Sequence, residues 1–231
     1  MPRRIVIASS NPHKVGELQQ MLARARFPGV RELEVACASE LGLGRPPEID
    51  ETSAQFVGNA VLKANGIAAW LRSLQAASDD IVLADDSGLC VDALDGGPGV
   101  HSARFAGEQA DDDANNAKLV AGLRARGSSS SPGQYVCVLA VRHVGLRPFD
   151  FTMPDAGVVF MREGCLCIEG RCRGEVRIER RGTGGFGYDP HFWIDGDTRT
   201  FAELSPAEKS QRSHRGAAMR MLVEELPLLL Q

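Results

Sequence analysis

Two adjacent aspartates at the end of an apolar run are the best candidates for chemistry in this sequence. Asp85 and Asp86 follow the run Ile81–Ala84, which reads as a buried strand, and Ser87 and Gly88 come next. Side chains alternate along a strand, so the two carboxylates point different ways unless the chain turns at the glycine, which permits a turn. Carboxylate oxygens suit Mg²⁺, which usually shares itself with substrate phosphates. The alternative is a plain polar turn. Considered without the rest of the sequence, this stretch favours that alternative.

A second candidate site lies near the start of the chain and suits phosphate. The predicted strand Ile5–Ala8 is followed by the polar stretch Ser9–His13 and then, from about Lys14, by apolar residues at helical spacing. Backbone N–H groups at a helix start favour anions, and Lys14 adds a positive charge there. The glycines of a Walker A loop are missing. The alternative is a capped helix with an incidental lysine.

Acidic and basic residues also surround a third element, a helix predicted to follow residue 55. The cluster Glu48–Glu51 precedes it, and Thr52 and Gln55 have the spacing of a capping box. Asn59 and Lys63 are four residues apart and therefore share one side of the helix. Solvated loop charge beside the helix dipole is the commoner explanation of such an acidic cluster.

The stretch Gly182–Pro190 holds four glycines, two aromatic residues and an acid. Glycines let a backbone approach a ligand closely, and Phe186 or Tyr188 could stack on a base. Asp189 and the backbone groups could read the edge of that base. A glycine-rich turn between two strands is an equally good explanation of the pattern.

A last helix begins at Ser205, where a capping serine, a proline and a capping-box glutamate occur together. The basic residues that follow suit phosphate, and they are Lys209, Arg212, His214 and Arg215. In one straight helix Lys209 and Arg215 would not share a face, so both reach one ligand only if the helix starts late or wraps the site. A solvated helix face is the alternative.

The composition is that of a soluble globular protein. The chain has 231 residues, 43% hydrophobic and 24% charged, with a net charge of −4 and a pI of about 5.8, which gives no support for a general binder of nucleic acid or membrane surfaces. No apolar run is long enough to cross a bilayer, so we expect a cytoplasmic protein. A helix is predicted at 111–124 and strands at 33–37, 135–144, 157–161, 165–168 and 174–178. The flexible stretch 127–133 is a possible lobe boundary.

Six motifs together resemble one family, the Ham1-like inosine triphosphate pyrophosphatases. They are Ser9–Lys14, FVGNAVLKA at 56–64, ADDSGL at 84–89, GGPGVHSARFAG at 96–107, GTGGFGYDP at 182–190 and EKSQRSHRG at 208–216. The resemblance covers nearly the whole chain. It implies an α/β fold over 1–231, with a mixed central sheet, flanking helices and two lobes enclosing an active-site cleft. It also implies a homodimer that uses Mg²⁺ to convert ITP, dITP and XTP to monophosphates and pyrophosphate, cleansing the nucleotide pool.

The resemblance also implies roles for particular residues. Asp86 is the acid/base residue and a metal contact, and Lys14 is the second catalytic residue. Glu51 is the other metal carboxylate by its distance from Asn59, with Glu48 as the fallback. The implied substrate-binding residues are Ser9, Ser10, Asn11, Pro12, His13, Lys14, Lys63, Ser87, Phe186, Gly187, Tyr188, Asp189, Lys209, His214 and Arg215.

Departures from the family pattern are modest, and two alternative functions stay open. Ser9 and Ser10 stand where Thr-Gly is common, and Gly58 replaces a frequent acidic residue. A nucleotide sensor without turnover would need no metal carboxylates, so the presence of Asp85, Asp86 and Glu51 favours an enzyme. Motifs of the Maf-like pyrophosphatases match less well. The number of metal ions and the means of excluding GTP stay open.

The six cysteines generate a prediction. Cys165, Cys167 and Cys172 cluster without paired CxxC spacing or histidine partners, and the chain is not a small secreted one. We therefore expect free thiols, no stoichiometric zinc and no disulfide needed for folding. Elemental analysis of the purified protein checks this, and one tightly held zinc per chain would contradict it.

Overall fold

The computed structural model describes residues 3–25, 33–76, 79–146 and 158–229, with backbone only for Arg3 and for 226–229. Seven strands and five α-helices lie in these described residues. The strands are β1 (Arg3–Ala8), β2 (Leu33–Cys37), β3 (Ile81–Val91), β4 (Ser130–His143), β5 (Val159–Arg162), β6 (Cys165–Arg177) and β7 (Phe192–Ile194). The helices are α1 (Pro12–Arg24), α2 (Phe56–Ser73), α3 (Asp112–Ala125), α4 (Pro206–Arg212) and α5 (His214–Leu229).

The strands form a mixed sheet, which confirms the predicted α/β class. Their order is β2-β1-β3-β4-β6-β5, and β7 pairs with β6. Strand β1 runs parallel to β2 and β3, whereas β6 runs antiparallel to β5 and β7. Two compact units divide the chain. The first is Met1–Asp86, Val138–Glu169 and Ala218–Gln231, and the second is Ser87–Cys137 and Gly170–Ala217.

In the first unit, helix α2 covers one face of the strands. Ala60, Ala64 and Ala68 recur at helical spacing and share a core cluster with Val6 of β1 and Val82 of β3. The neighbouring strand residues, which point to the other face, are also fully buried, among them Ile5, Ile7, Ile81 and Leu83. Burial on both faces explains why these strands read as continuous apolar runs in the sequence.

The core of the second unit is built around aromatic rings. The ring centroids of Tyr135 and Phe192 lie 4.8 Å apart, and those of Phe192 and Phe201 lie 5.0 Å apart. Leu119 and Leu123 on the inner side of α3 complete the cluster. Tyr188 of the loop at 182–190 packs in the same cluster.

The sequence suggested a turn at Gly88, but strand β3 does not turn there. It continues to Val91, so Asp85 and Asp86 lie inside a strand and point in different directions. Gly88 is needed for space instead of a turn. A Cβ there would lie 2.4 Å from the Gly99 carbonyl oxygen and the same distance from Ser102 Oγ.

Two other local predictions are wrong. Helix α2 begins at Phe56 after Gln55, which makes no side-chain cap, so Thr52 and Gln55 form no capping box. Asn59 Oδ1 instead accepts a hydrogen bond from the Ser53 N–H at 2.9 Å. The stretch 127–133 is not all flexible loop, because β4 begins at Ser130. The division into one domain with a boundary there stays a prediction.

Strand β6 joins two segments that the sequence separated. The predicted strands 165–168 and 174–178 are parts of one strand, while the predicted strand 157–161 is seen as β5, with residue 157 outside the described part of the chain. The capping box that starts α4 is confirmed, since Ser205 Oγ and the Glu208 carboxylate bind each other's backbone N–H groups. Within the described residues, no helix combines the length and apolar character that crossing a bilayer demands.

All six cysteines are among the described residues and are free thiols. Cys165 and Cys167 pack in the core cluster of the first unit, and Cys172 packs in that of the second. Burial raises the pKa of Cys165 and Cys172 to about 11 and that of Cys167 to about 12. These thiols therefore stay protonated at neutral pH. Their expected lack of zinc stays a prediction.

Candidate active site

The first group of candidate residues begins with a buried ion pair between β3 and α1. The Asp85 side chain is fully buried, and its Oδ1 lies 2.9 Å from Lys14 Nζ. Lys14 is held in the first turn of α1, where Asn11 Oδ1 accepts hydrogen bonds from the N–H groups of His13 and Lys14. The predicted helix start is thus capped by Asn11, and it places the Lys14 side chain at the positive end of the helix dipole.

The neighbouring carboxylate, Asp86, is bound by α2. Lys63 Nζ lies 2.9 Å from Asp86 Oδ1, and Asn59 Nδ2 donates to Asp86 Oδ2 at 3.3 Å. Asn59 and Lys63 are one helical turn apart, which is why both reach the same carboxylate. Lys63 Nζ also lies 3.4 Å from Glu51 Oε2, whereas Glu48 is exposed.

Burial and charge act in opposite directions on this cluster. Burial raises the pKa of Asp86 to about 6, although Lys63 and Lys14 favour its charged form. Burial by itself would lower the pKa of Lys63, but Asp86 and Glu51 outweigh it and the pKa is raised. Lys63 therefore stays a cation, and Asp86 can exchange a proton close to neutral pH.

The same cluster can accept a divalent cation. The described residues contain no group of three or more His, Cys, Asp or Glu side chains arranged to hold a metal. Two carboxylates, those of Asp86 and Glu51, do converge on one positive charge, the Lys63 ammonium. Hard oxygen ligands from one or two carboxylates, with phosphate oxygens and water, are a common donor set for Mg²⁺. The residues present fit that ion.

In the second unit, Arg215 reaches Ser87, the residue that follows Asp86 in the chain. Arg215 Nη2 donates to Ser87 Oγ at 2.9 Å, and the arginine is only 1% exposed. The predicted single C-terminal helix is broken, because α4 ends before Ser213, whose backbone is extended, and α5 starts at His214. The break removes the geometric objection to Lys209 and Arg215 serving one site.

The glycine loop in the second unit is cross-linked by charge. Asp189 Oδ2 accepts hydrogen bonds from the Phe186 N–H at 2.9 Å and from Lys209 Nζ at 2.6 Å. Lys209 Nζ also lies 4.3 Å from the centroid of the Phe186 ring. Asp189 and Lys209 are both buried, so this pair holds the loop against α4.

Two further contacts fix the aromatic residues around this loop. The Tyr188 hydroxyl donates to the Ser102 carbonyl at 2.8 Å, and Tyr188 is only 3% exposed. His214 stacks on Tyr135, with ring centroids 4.7 Å apart and planes 9° apart. Phe186 is half-buried and therefore offers more ring surface to a ligand than Tyr188 does.

The predicted site residues thus lie in two groups, one in each unit. The first holds Ser9, Ser10, Asn11, Pro12, His13, Lys14, Glu51, Lys63 and Asp86, and the second holds Ser87, Phe186, Gly187, Tyr188, Asp189, Lys209, His214 and Arg215. Sequence reasoning gave no role to Asp85 as the partner of Lys14, or to Asn59, although the spacing of Asn59 from Lys63 was a signal. It also missed Asp112 and Asn116, which bind Gly187.

Comparisons with known proteins identify the family of the chain. The profile of the Ham1 family matches residues 5–225. The dITP/XTP pyrophosphatase of Ralstonia nicotianae is 44% identical over 230 residues, which cover 98% of both chains. The protein of the same name from Bacillus anthracis is 38% identical, over 97% of this chain and 96% of its own.

Solved structures give the same result. A HAM1 protein from Coxiella burnetii matches with a TM-score of 0.77 and 34% identity, covering 97% of this chain and 98% of its own. The Staphylococcus aureus Ham1 protein matches with a TM-score of 0.71 and 33% identity over the same shares. The chain belongs to the Ham1 family.

Proposed function

We propose that this chain hydrolyses the non-standard purine nucleoside triphosphates ITP, dITP and XTP to monophosphates and pyrophosphate, and so cleanses the nucleotide pool. The observation that carries the proposal is the pairing of Asp85 and Asp86, adjacent on one strand, with Lys14 and Lys63 from two helices. The curated relatives named dITP/XTP pyrophosphatase support it.

Lys14 and the start of α1 supply the charge that a triphosphate needs. A triphosphate carries several negative charges, which must be neutralised before water can approach. The positive end of the α1 dipole attracts phosphate oxygens, while the N–H groups of Asn11 and His13 are already bound within the turn, by Ser9 Oγ and Asn11 Oδ1. Lys63 adds a second cation from α2.

Asp86 acts as the general base in this proposal. It takes a proton from water as the water oxygen attacks the α-phosphorus. The bond from that phosphorus to the bridging oxygen breaks, and pyrophosphate leaves. Asn59 and Lys63 bind one oxygen each of the Asp86 carboxylate, so the carboxylate is held in one orientation before substrate arrives.

Asp86 and Glu51 are the residues that would hold Mg²⁺. When bound, Mg²⁺ supplies positive charge at the phosphates and makes water more acidic. The contacts of both carboxylates with the Lys63 ammonium support a cation site at this position. Lys63 itself binds and orients the carboxylates, and its raised pKa keeps it charged while it does so.

Recognition of the base rests on Phe186, His214 and Arg215. Phe186 can stack on any purine, so it does not choose among them. A 6-oxo group distinguishes hypoxanthine and xanthine from adenine, and donors aimed at it reject the adenine amino group. The N–H groups of Gly184, Phe186, Gly187 and Asp189 all donate within the protein, so we assign the donor role to the side chains of His214 and Arg215.

Asp189 bears on the exclusion of GTP, because a carboxylate open to the ligand would accept a hydrogen bond from the guanine 2-amino group. Its carboxylate is buried and already accepts hydrogen bonds from Phe186 and Lys209. The pairing therefore weakens that objection. A homodimer and a cytoplasmic location complete the proposal, and both rest on the family resemblance and the composition.

The role of Asp86 generates a prediction. Asp86→Asn keeps the size of the side chain but removes its charge and basicity, so we expect turnover of ITP to fall by at least about a hundredfold. Asp80→Asn is the matched control, since Asp80 is also a buried aspartate, bound by Arg4 at 2.7 Å, and should keep near-normal turnover. Thermal unfolding checks that both variants fold. Near-normal activity of Asp86→Asn would move the role to Asp85.

The metal assignment generates a second prediction. Glu51→Gln should raise the Mg²⁺ concentration for half-maximal activity by about tenfold or more, the scale seen when groups at a metal site are removed. Glu48→Gln removes an exposed carboxylate of the same acidic cluster and should leave the Mg²⁺ dependence unchanged. The reverse result would make Glu48 the ligand.

Base selectivity generates a third prediction, tested by assaying pyrophosphate and orthophosphate release from a panel of nucleoside triphosphates with Mg²⁺. We expect pyrophosphate, with ITP, dITP and XTP strongly preferred over ATP. Arg215→Ala should lose much of the preference for ITP. Because Arg215 is fully buried, Arg215→Lys, which keeps the charge without the planar fork, serves as the second variant. Equal cleavage of ATP and ITP by the unmodified protein would contradict this assignment, and binding without turnover would indicate a sensor.

A further inference from the structure

Helix α3 holds the middle of the glycine loop through two side chains. Asp112 Oδ2 accepts a hydrogen bond from the Gly187 N–H at 2.6 Å, and Asn116 Nδ2 donates to the Gly187 carbonyl at 2.9 Å. Asp112 and Asn116 are four residues apart, so they lie on one side of the helix. Both backbone groups of one glycine are therefore bound by a single helix face.

Binding both groups of Gly187 orients the two peptide planes beside it, because each peptide bond is planar. Those planes join Gly187 to Phe186 and to Tyr188. Gly187 has a φ of +62°, and glycine reaches this left-handed region about as readily as the right-handed one. The conformation at Gly187 is thus set by its hydrogen bonds to α3 and not by an intrinsic preference of the residue.

Burying the Asn116 amide costs folding stability, and its contact with Gly187 explains why an amide occupies this position. The residue is 4% exposed, and its Oδ1 has no hydrogen-bond partner among the described residues. A buried acceptor without a donor destabilises a protein, and an apolar side chain of similar size would avoid that cost. The hydrogen bond from Nδ2 to the loop is the gain that the amide offers.

We propose that Asp112 and Asn116 are positioning residues that set base selectivity by fixing Gly187. The inference rests on the proposed function, in which the Phe186 ring faces the purine. Neither residue belongs to the lysine and carboxylate cluster that acts on the phosphates. Their loss should therefore change KM and the preference among bases more than kcat.

Kinetics of four variants test the inference. Asn116→Ala and Asp112→Ala should each raise KM for ITP and lower the ratio of kcat/KM for ITP over ATP by about threefold to tenfold, the scale of one hydrogen bond. Asp112→Asn should retain selectivity, since an amide oxygen still accepts the Gly187 N–H. Asp113→Ala is the matched control, because Asp113 is an exposed acid of the same turn that pairs with Arg180 instead.

Hydrogen exchange of the protein without nucleotide gives a readout independent of activity. Exchange of amides in 185–189 should speed up in Asn116→Ala and Asp112→Ala and stay unchanged in Asp113→Ala. Asp112 is exposed, so its variants test the inference even if Asn116→Ala fails to fold. Unchanged exchange would overturn the inference, and so would faster exchange with unchanged selectivity. Failure of the unmodified protein to release pyrophosphate from ITP would instead count against the proposed function. Hydrogen exchange would still test whether Asp112 and Asn116 hold Gly187.

Discussion

Buried carboxylates require buried partners, and this constraint organises the first unit. Strand β3 carries Asp85 and Asp86 in succession, and their side chains leave the strand in different directions, so each needs its own cation. Helix α1 supplies Lys14 from its first turn, and α2 supplies Lys63 together with Asn59. The positions of both helices beside the strand therefore depend on the ion pairs that their lysines form with the two aspartates.

Such a cluster suits a reaction that is catalysed mainly by electrostatic stabilisation. Groups held in place before substrate arrives need little reorganisation when charge develops on the phosphates. Burying the Asp86 carboxylate costs folding stability, as its raised pKa shows. This cost accompanies the preorganised site. In the second unit, the Asp189–Lys209 pair fixes a loop in the same way, and Asp112 and Asn116 on α3 extend the hold to its central glycine.

The parts predictable from the sequence are those governed by local periodicity and capping. Apolar spacing gave α1, α2 and α3, and a serine, proline and glutamate in the right order gave the start of α4. The errors came from tertiary contacts. Gly88 looked like a turn but is required by the close approach of Gly99 and Ser102. The helix break at Ser213 and the hydrogen bond from Asn116 to Gly187 were not predicted either. Both depend on residues whose proximity no local sequence pattern encodes.

We propose that water, activated by Asp86, attacks the α-phosphorus of the nucleotide. Turnover of ITP in water labelled with heavy oxygen tests this most directly, with the products separated and weighed by mass spectrometry. The label should enter inosine monophosphate, and the released pyrophosphate should stay unlabelled. Label in pyrophosphate, or release of labelled orthophosphate, would contradict the assignment of the attacked phosphorus.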